Sequence, residues 1–191
     1  MIVGAKLLTW APFTSGGAGG AITYGTGSAE TDKVVRVDMS EERADTGFYA
    51  DDKRIDRDNS ITAASVSIET AQLTLAMRES ILGHVKATND YTVTDAASPF
   101  VGVGFCLKQR YKGAVTYRAY WYHKVQFGMD SDSAETKGEN SAFQSVNLTG
   151  SIMGVQLTSG GAMEFYMTKS DATEAAIRTW LNGLAGISTT T

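Results

Sequence analysis

One cysteine, two prolines, two histidines and no long apolar run mark this chain of 191 residues. Each scarcity removes a class of explanation. Cys106 alone forms no internal disulfide, so nothing marks an oxidising compartment. No stretch approaches the roughly 18 apolar residues that a membrane-spanning helix needs. The start, "MIVGAKLLTWAPF", lacks a basic segment followed by a long apolar one, so no signal peptide is expected and the product is expected to fold in cytoplasm. His84 and His123 have no Cys or carboxylate at metal-ligand spacing. Cationic excess is missing too. With 17 Lys+Arg against 21 Asp+Glu and a net charge of −4, no basic surface is expected for gripping a phosphate backbone.

What is abundant is glycine, with 20 residues, which implies many turns and bends, as in an all-β protein. Hydrophobic residues at 42% suffice for one substantial core at this length, so residues 1–191 are expected to form a single domain. The expected class is mainly β (α+β): a β-sandwich or barrel with a flanking helix and a C-terminal helix. A strand at "AKLLTWAPF" leads into a glycine-rich segment, 14–31, read as a flexible linker because it lacks the Gly-Lys-Ser/Thr ending of a phosphate loop. "DKVVRVDMS" reads as a strand with Val35 and Val37 on one side. A polar segment, 41–60, follows with almost no periodicity and is expected to be a long loop. In "ITAASVSIETAQL", Ala64, Val66 and Ile68 alternate with Ser65, Ser67 and Glu69. "TLAMRESILGH" reads as a helix with Thr74 as N-cap and Gly83 just past its end.

"PFVGVGFCLKQ" is expected to send Val101, Val103, Phe105 and Leu107 to the core. Gly102 and Gly104 then mark a bend or a close approach on the other face. "VTYRAYWYHKVQFG" is apolar or aromatic on both faces, which predicts cover on both sides. "FQSVNLTGSIM" and "AMEFYMTK" complete the sheet. In the last helix Asp171 and Glu174 resemble a capping box, Ala176, Ile177, Trp180, Leu181 and Leu184 form the buried stripe, and Gly183 is read as the stop.

The sequence offers little chemistry. "DRDNSI" from Asp56 and "DSDSAETKGE" from Asp130 begin as calcium loops do, but neither has glycine at the sixth place. No Gly-x-Ser-x-Gly elbow or dinucleotide fingerprint is present. His123 and Cys106 are read as packing residues. No catalytic residue, cofactor or metal is therefore expected, and the chain is not expected to be an enzyme.

The loop between the two long strands is more informative. "ETKGENSAFQSVNLTG", Glu135 to Gly150, resembles the most recognisable segment of the siphophage major tail protein family, which builds the tail tube. Further segments match in the same order: "VGAKLLTWAPF", "ITYGTG", "YADDKRID", "SVSIETAQLTLAMRESILGH", "SPFVGVGFCLKQ" and "YRAYWYHKVQF", then the terminal helix with Trp180. The resemblance covers nearly the whole chain. It departs at "TSGGAGGA", which is richer in glycine than is usual in the family.

The resemblance implies a virion protein, made in the bacterial cytoplasm, whose subunits form stacked hexameric rings. Its partners would be copies of itself, the tape measure protein and other tail proteins. DNA would pass through the lumen without specific binding, along a wall expected to be neutral to acidic, and no membrane is involved. Residues expected at contacts between subunits are Phe48 and Tyr49, with Tyr49 as anchor, and Asp51, Asp52, Lys53 and Arg54 setting charge register around it. Glu135, Lys137 and Glu139 alternate in sign and would do the same in the second loop. Two alternatives stay open: another tail component such as a terminator, or a monomeric β-sandwich binding module presenting "YRAYWYH" as an aromatic platform.

Overall fold

A computed structural model describes residues 1–30, 33–50, 53–86, 88, 90–131 and 145–187. The chain opens with β1 (Ile2–Ser15), followed by β2 (Thr23–Tyr24), β3 (Ser28–Glu30), β4 (Val34–Arg43), β5 (Thr46–Ala50), β6 (Lys53–Asp58) and β7 (Ile61–Thr70). Helix α1 (Leu75–Ser80) comes next, then β8 (Val85–Lys86), β9 (Tyr91–Thr92), β10 (Phe100–Tyr111), β11 (Ala114–Ser131), β12 (Val146–Ile152), β13 (Val155–Gln156), β14 (Met163–Glu164), β15 (Tyr166–Asp171) and α2 (Glu174–Leu184). The fold is mainly β, with one large antiparallel sheet and a C-terminal helix.

The sheet runs β2-β1-β10-β11-β12-β7-β4, with β3 also on β1 and β15 also on β11. β11 governs its shape. One edge of this strand pairs with β10 along nearly its whole length. The other edge is shared, with Tyr117–Tyr122 on β15 and Val125–Ser131 on β12. The sheet therefore divides at β11 and curls, until β4 approaches β1. Burial, together with Glu41 of β4 near by, raises the pKa of the Tyr166 phenol on β15.

Inside the curl lies the main core, built from Leu8, Trp10, Val66, Ile68, Val103, Phe105, Phe127 and Leu148, with Met77 and Ile81 of α1 packed against it. The outer face of β1, β10 and β11 is covered by α2 through Ile177, Leu181 and Ala185, against Leu7, Ala11, Cys106, Ala119 and Trp121. Both faces of β11 are thus buried, as its aromatic pattern predicts. Gly102 and Gly104 are the close approach expected of them: a Cβ on Gly104 would lie 2.6 Å from both Leu181 and Trp121. Leu7 adopts a φ of +58° at a register break between Lys6 and Thr9. This bulge puts Lys6 and Leu7 on the same side, where Lys6 reaches Glu174 of α2 at 3.4 Å.

Four expectations need correction. Residues 41–60 are not a loop: β4 continues to Arg43, and β5 and β6 pair as a hairpin. Local polarity concealed it, because a hairpin satisfied by its own ladder does not need an apolar face to show a period. The glycine-rich segment is not a free linker either. Gly19 donates to the Gln156 carbonyl at 2.7 Å, and Gln156 donates back to Gly17 at 2.6 Å, so the glycines serve a backbone that turns with positive φ against β13. In β4 a register shift after Val34 sends Val34 and Val37 to the core and leaves Val35 in solvent. In α2 the N-cap is Thr173, which accepts from the Ala176 N–H, and Gly183 lies inside the helix. Asp171 accepts from Thr173 instead, which holds its carboxyl below the usual range.

Candidate assembly surface

β4 and β7 pair from Val34↔Thr70 to Arg43↔Ile61. The ladder does not stop there. The Ala44 N–H donates to the Ser60 carbonyl at 2.8 Å, and β5 and β6 continue from Thr46↔Asp58 to Ala50↔Lys53. The neighbouring strand β12 ends its pairing at Ala64, so beyond that point the ladder runs on as a two-stranded arm. From Arg43 to Ala50 this adds about 25 Å of strand.

The arm collects part of the expected contact set. Phe48 stands opposite Asp56, and Tyr49 opposite Arg54, with a register shift between Phe48 and Tyr49; Lys53 pairs with Ala50 beside them. Asp51 and Asp52 lie outside the described residues, as do Glu135, Lys137 and Glu139. The backbone thus brings Phe48, Tyr49, Lys53 and Arg54 to one hairpin end.

Below the arm, β4 is the last strand of the sheet order and is exposed along most of its length. Where it does not face β1, its outer edge presents backbone N–H and C=O groups that no other described strand pairs with, the usual template for pairing with another chain. Ion pairs Arg36–Asp38 at 2.7 Å and Arg43–Glu41 at 2.9 Å decorate it. At such exposure they contribute little stability, but they constrain what can dock. Val35 and Met39 stand exposed among these charges. Sequence reasoning put Val35 on one side of the strand with Val37 and gave Met39 no role. Only the bulge reveals Val35 as a surface residue.

The residues tested for chemistry are placed differently. Cys106 is buried against α2, and burial pushes its thiol up to about 11. His123 is buried with Nε2 lacking a hydrogen-bond partner among the described residues, and burial lowers its pKa. Among the described residues no three His, Cys, Asp or Glu side chains come together. Trp121, Tyr122 and His123 are all buried, so "YRAYWYH" presents no exposed aromatic platform through them. Tyr120 and Tyr122 pack instead on Tyr166, with ring centroids 6.0 and 5.3 Å away.

Compared with known proteins, the chain matches no protein-family model and no curated sequence.

Proposed function

We propose that the chain is a structural subunit of a phage tail tube, assembling through its sheet edges and its arm into stacked hexameric rings around a DNA conduit. The observation that carries this reading is the continuous β4–β7 ladder, exposed as an open edge along the sheet and prolonged as an arm beyond it. A subunit that stays alone has reason to blunt such an edge. A subunit that assembles uses it, because ring closure pairs every edge with a neighbour. The segment "YADDKRID", one of those resembling the tail protein family, includes Tyr49, Ala50, Lys53 and Arg54 of this hairpin, which adds support. A formal charge of −4 per subunit suits a lumen that lets DNA slide. Other tail proteins, the tape measure among them, are the expected further partners.

Concentration-dependent sizing with negative-stain microscopy tests the reading. Rings or tubes are expected, each interface burying more than about 1,000 Å². A protein that stays monomeric at millimolar concentration and also fails to join a co-expressed tail is a binding module or another kind of component, and the reading falls.

A further inference from the structure

β1, β10 and β11 carry two unlike features at opposite ends. At one end, Ile2 and Val3 are 59% and 53% exposed, and Tyr111, at the β10–β11 turn, is 71% exposed. Met1 and Arg110 exchange backbone hydrogen bonds of 2.9 and 3.2 Å and Ile2 stands opposite Gln109, so Ile2 and Tyr111 share one face at this end. Lys112 lies 5.5 Å from the centre of the Tyr111 ring, and Lys108 and Arg110 alternate with Tyr111 along β10; none of the three makes an ion pair among the described residues.

At the other end is an apolar cleft of about 250 Å³, lined by Ile22, Tyr24, Trp121, Leu157, Met167 and Leu184. Its aromatic floor is already satisfied: the Trp121 N–H donates to the Tyr24 hydroxyl at 3.2 Å, and that hydroxyl donates to the His123 carbonyl at 2.9 Å. The cleft is below the roughly 300–1,000 Å³ of small-molecule pockets, and fits a side chain or two better than a drug-sized ligand. Glu164 precedes Phe165, whose carbonyl accepts from the His123 N–H at 3.2 Å, and so puts a carboxylate near this end that has no ion pair among the described residues. Ile2 and Phe13, the latter paired with Tyr24 beside the cleft, are separated by about 35 Å of strand.

We propose that the patch and the cleft are plug and socket for a second copy of this chain: Tyr111 enters the cleft of a subunit in the next ring, with Ile2 and Val3 at its rim. The proposal rests on the tube reading and assigns its ring-to-ring contact. Unlike surfaces at opposite ends make a heterologous contact, which repeats without closing and so generates an open stack. A tyrosine entering a desolvated pocket is a frequent anchor of such contacts. Lys112 beside the plug has a sign opposite to that of the Glu164 carboxylate near the socket, so the charges favour the same orientation.

Two variants at exposed positions test this while sparing the core: Tyr111→Ser removes the plug, and Ala21→Trp fills the socket, which Ala21 borders. Each should leave the melting temperature of the subunit unchanged and raise the critical concentration for tube growth about tenfold or more. Mixed Tyr111→Cys and Ile22→Cys proteins should cross-link with a bismaleimide in tubes and not in free subunits, since native Cys106 is buried. Normal tubes from both variants, or no cross-link within tubes, overturns the proposal while leaving the tube reading intact. A wild-type protein that forms neither rings nor tubes removes both. Equal binding of the apolar dye ANS to a free subunit and to a tube would show the cleft uncovered, which also overturns it.

Discussion

β10 and β4 belong to one sheet and meet opposite conditions. From Val101 to Leu107 every side chain of β10 is buried, alternately inside the curl and under α2. β4 has only the inner side of its first residues covered, and from Ser40 to Arg43 it is exposed throughout. A strand buried on two faces derives its stability from packing; a strand exposed on both depends on its ladder. The first kind cannot meet a partner without unfolding. The second has its edge and side chains available, and the paired backbone of β5 and β6 continues beyond it.

The strongest way to break this comparison is at the packed end. Trp121→Ala removes a ring held between Gly102, Gly104 and Tyr24, and should cost about 3–5 kcal/mol in urea unfolding. A loss below about 1 kcal/mol would mean that α2 does not seal this face. Next is Gly104→Ala. Its methyl would meet Leu181 and Trp121 at 2.6 Å, both buried, so a destabilisation of about 1–3 kcal/mol is expected from the same measurement.

The third effect depends on pH. Burial keeps the pKa of His123 below its ordinary 6.5, so the unfolded chain takes up a proton that the folded chain refuses. Stability from this group is complete above about pH 6.5 and falls as pH drops below it, with a slope of at most about 1.4 kcal/mol per pH unit. His84 is lowered in the same direction, so wild type and His123→Gln must be compared. Unfolding measured from pH 7.5 to 5 should show a shallower slope in the variant. Identical slopes would refute the role of His123.

The smallest expected effect sharpens the contrast at the exposed end. Val35→Ser combined with Met39→Ser should change subunit stability by no more than about 0.5 kcal/mol, while lowering the yield of assembled particles on a sizing column. Assembly unchanged by both substitutions would show that the β4 edge is not used.

Legibility followed burial. Ala64, Val66 and Ile68 alternate in the sequence because one side of β7 faces the core, and the structure buries all three. Thr74 was legible as a cap because its hydroxyl acts on the Met77 N–H, only three residues on. Val35 was not, since a bulge is a mismatch between two strands and only one strand is written in the local sequence. The β5–β6 hairpin was also hidden, because its cross-strand pairs, such as Phe48 with Asp56, do not produce apolar alternation. Of the candidate assembly residues, the aromatic pair Phe48–Tyr49 stood out in the sequence because it is set among charges. Their place at the end of an arm was not.

By itself the sequence determined the class: glycine-rich, alternating, almost without cysteine or proline, and ending in an amphipathic helix, it specifies strands with a helical cover. Those are short-range consequences of side-chain direction and backbone freedom, fixed within a few residues. Only the tertiary structure decided which edge stays open, where the ladder outruns its neighbours, and that an apolar patch and an apolar cleft lie at opposite ends of the same strands. Each of these depends on pairing between segments far apart in the chain, such as β1 with β10 and β7 with β12. Register across such distances is set by the packing of the whole sheet rather than by any local run of residues.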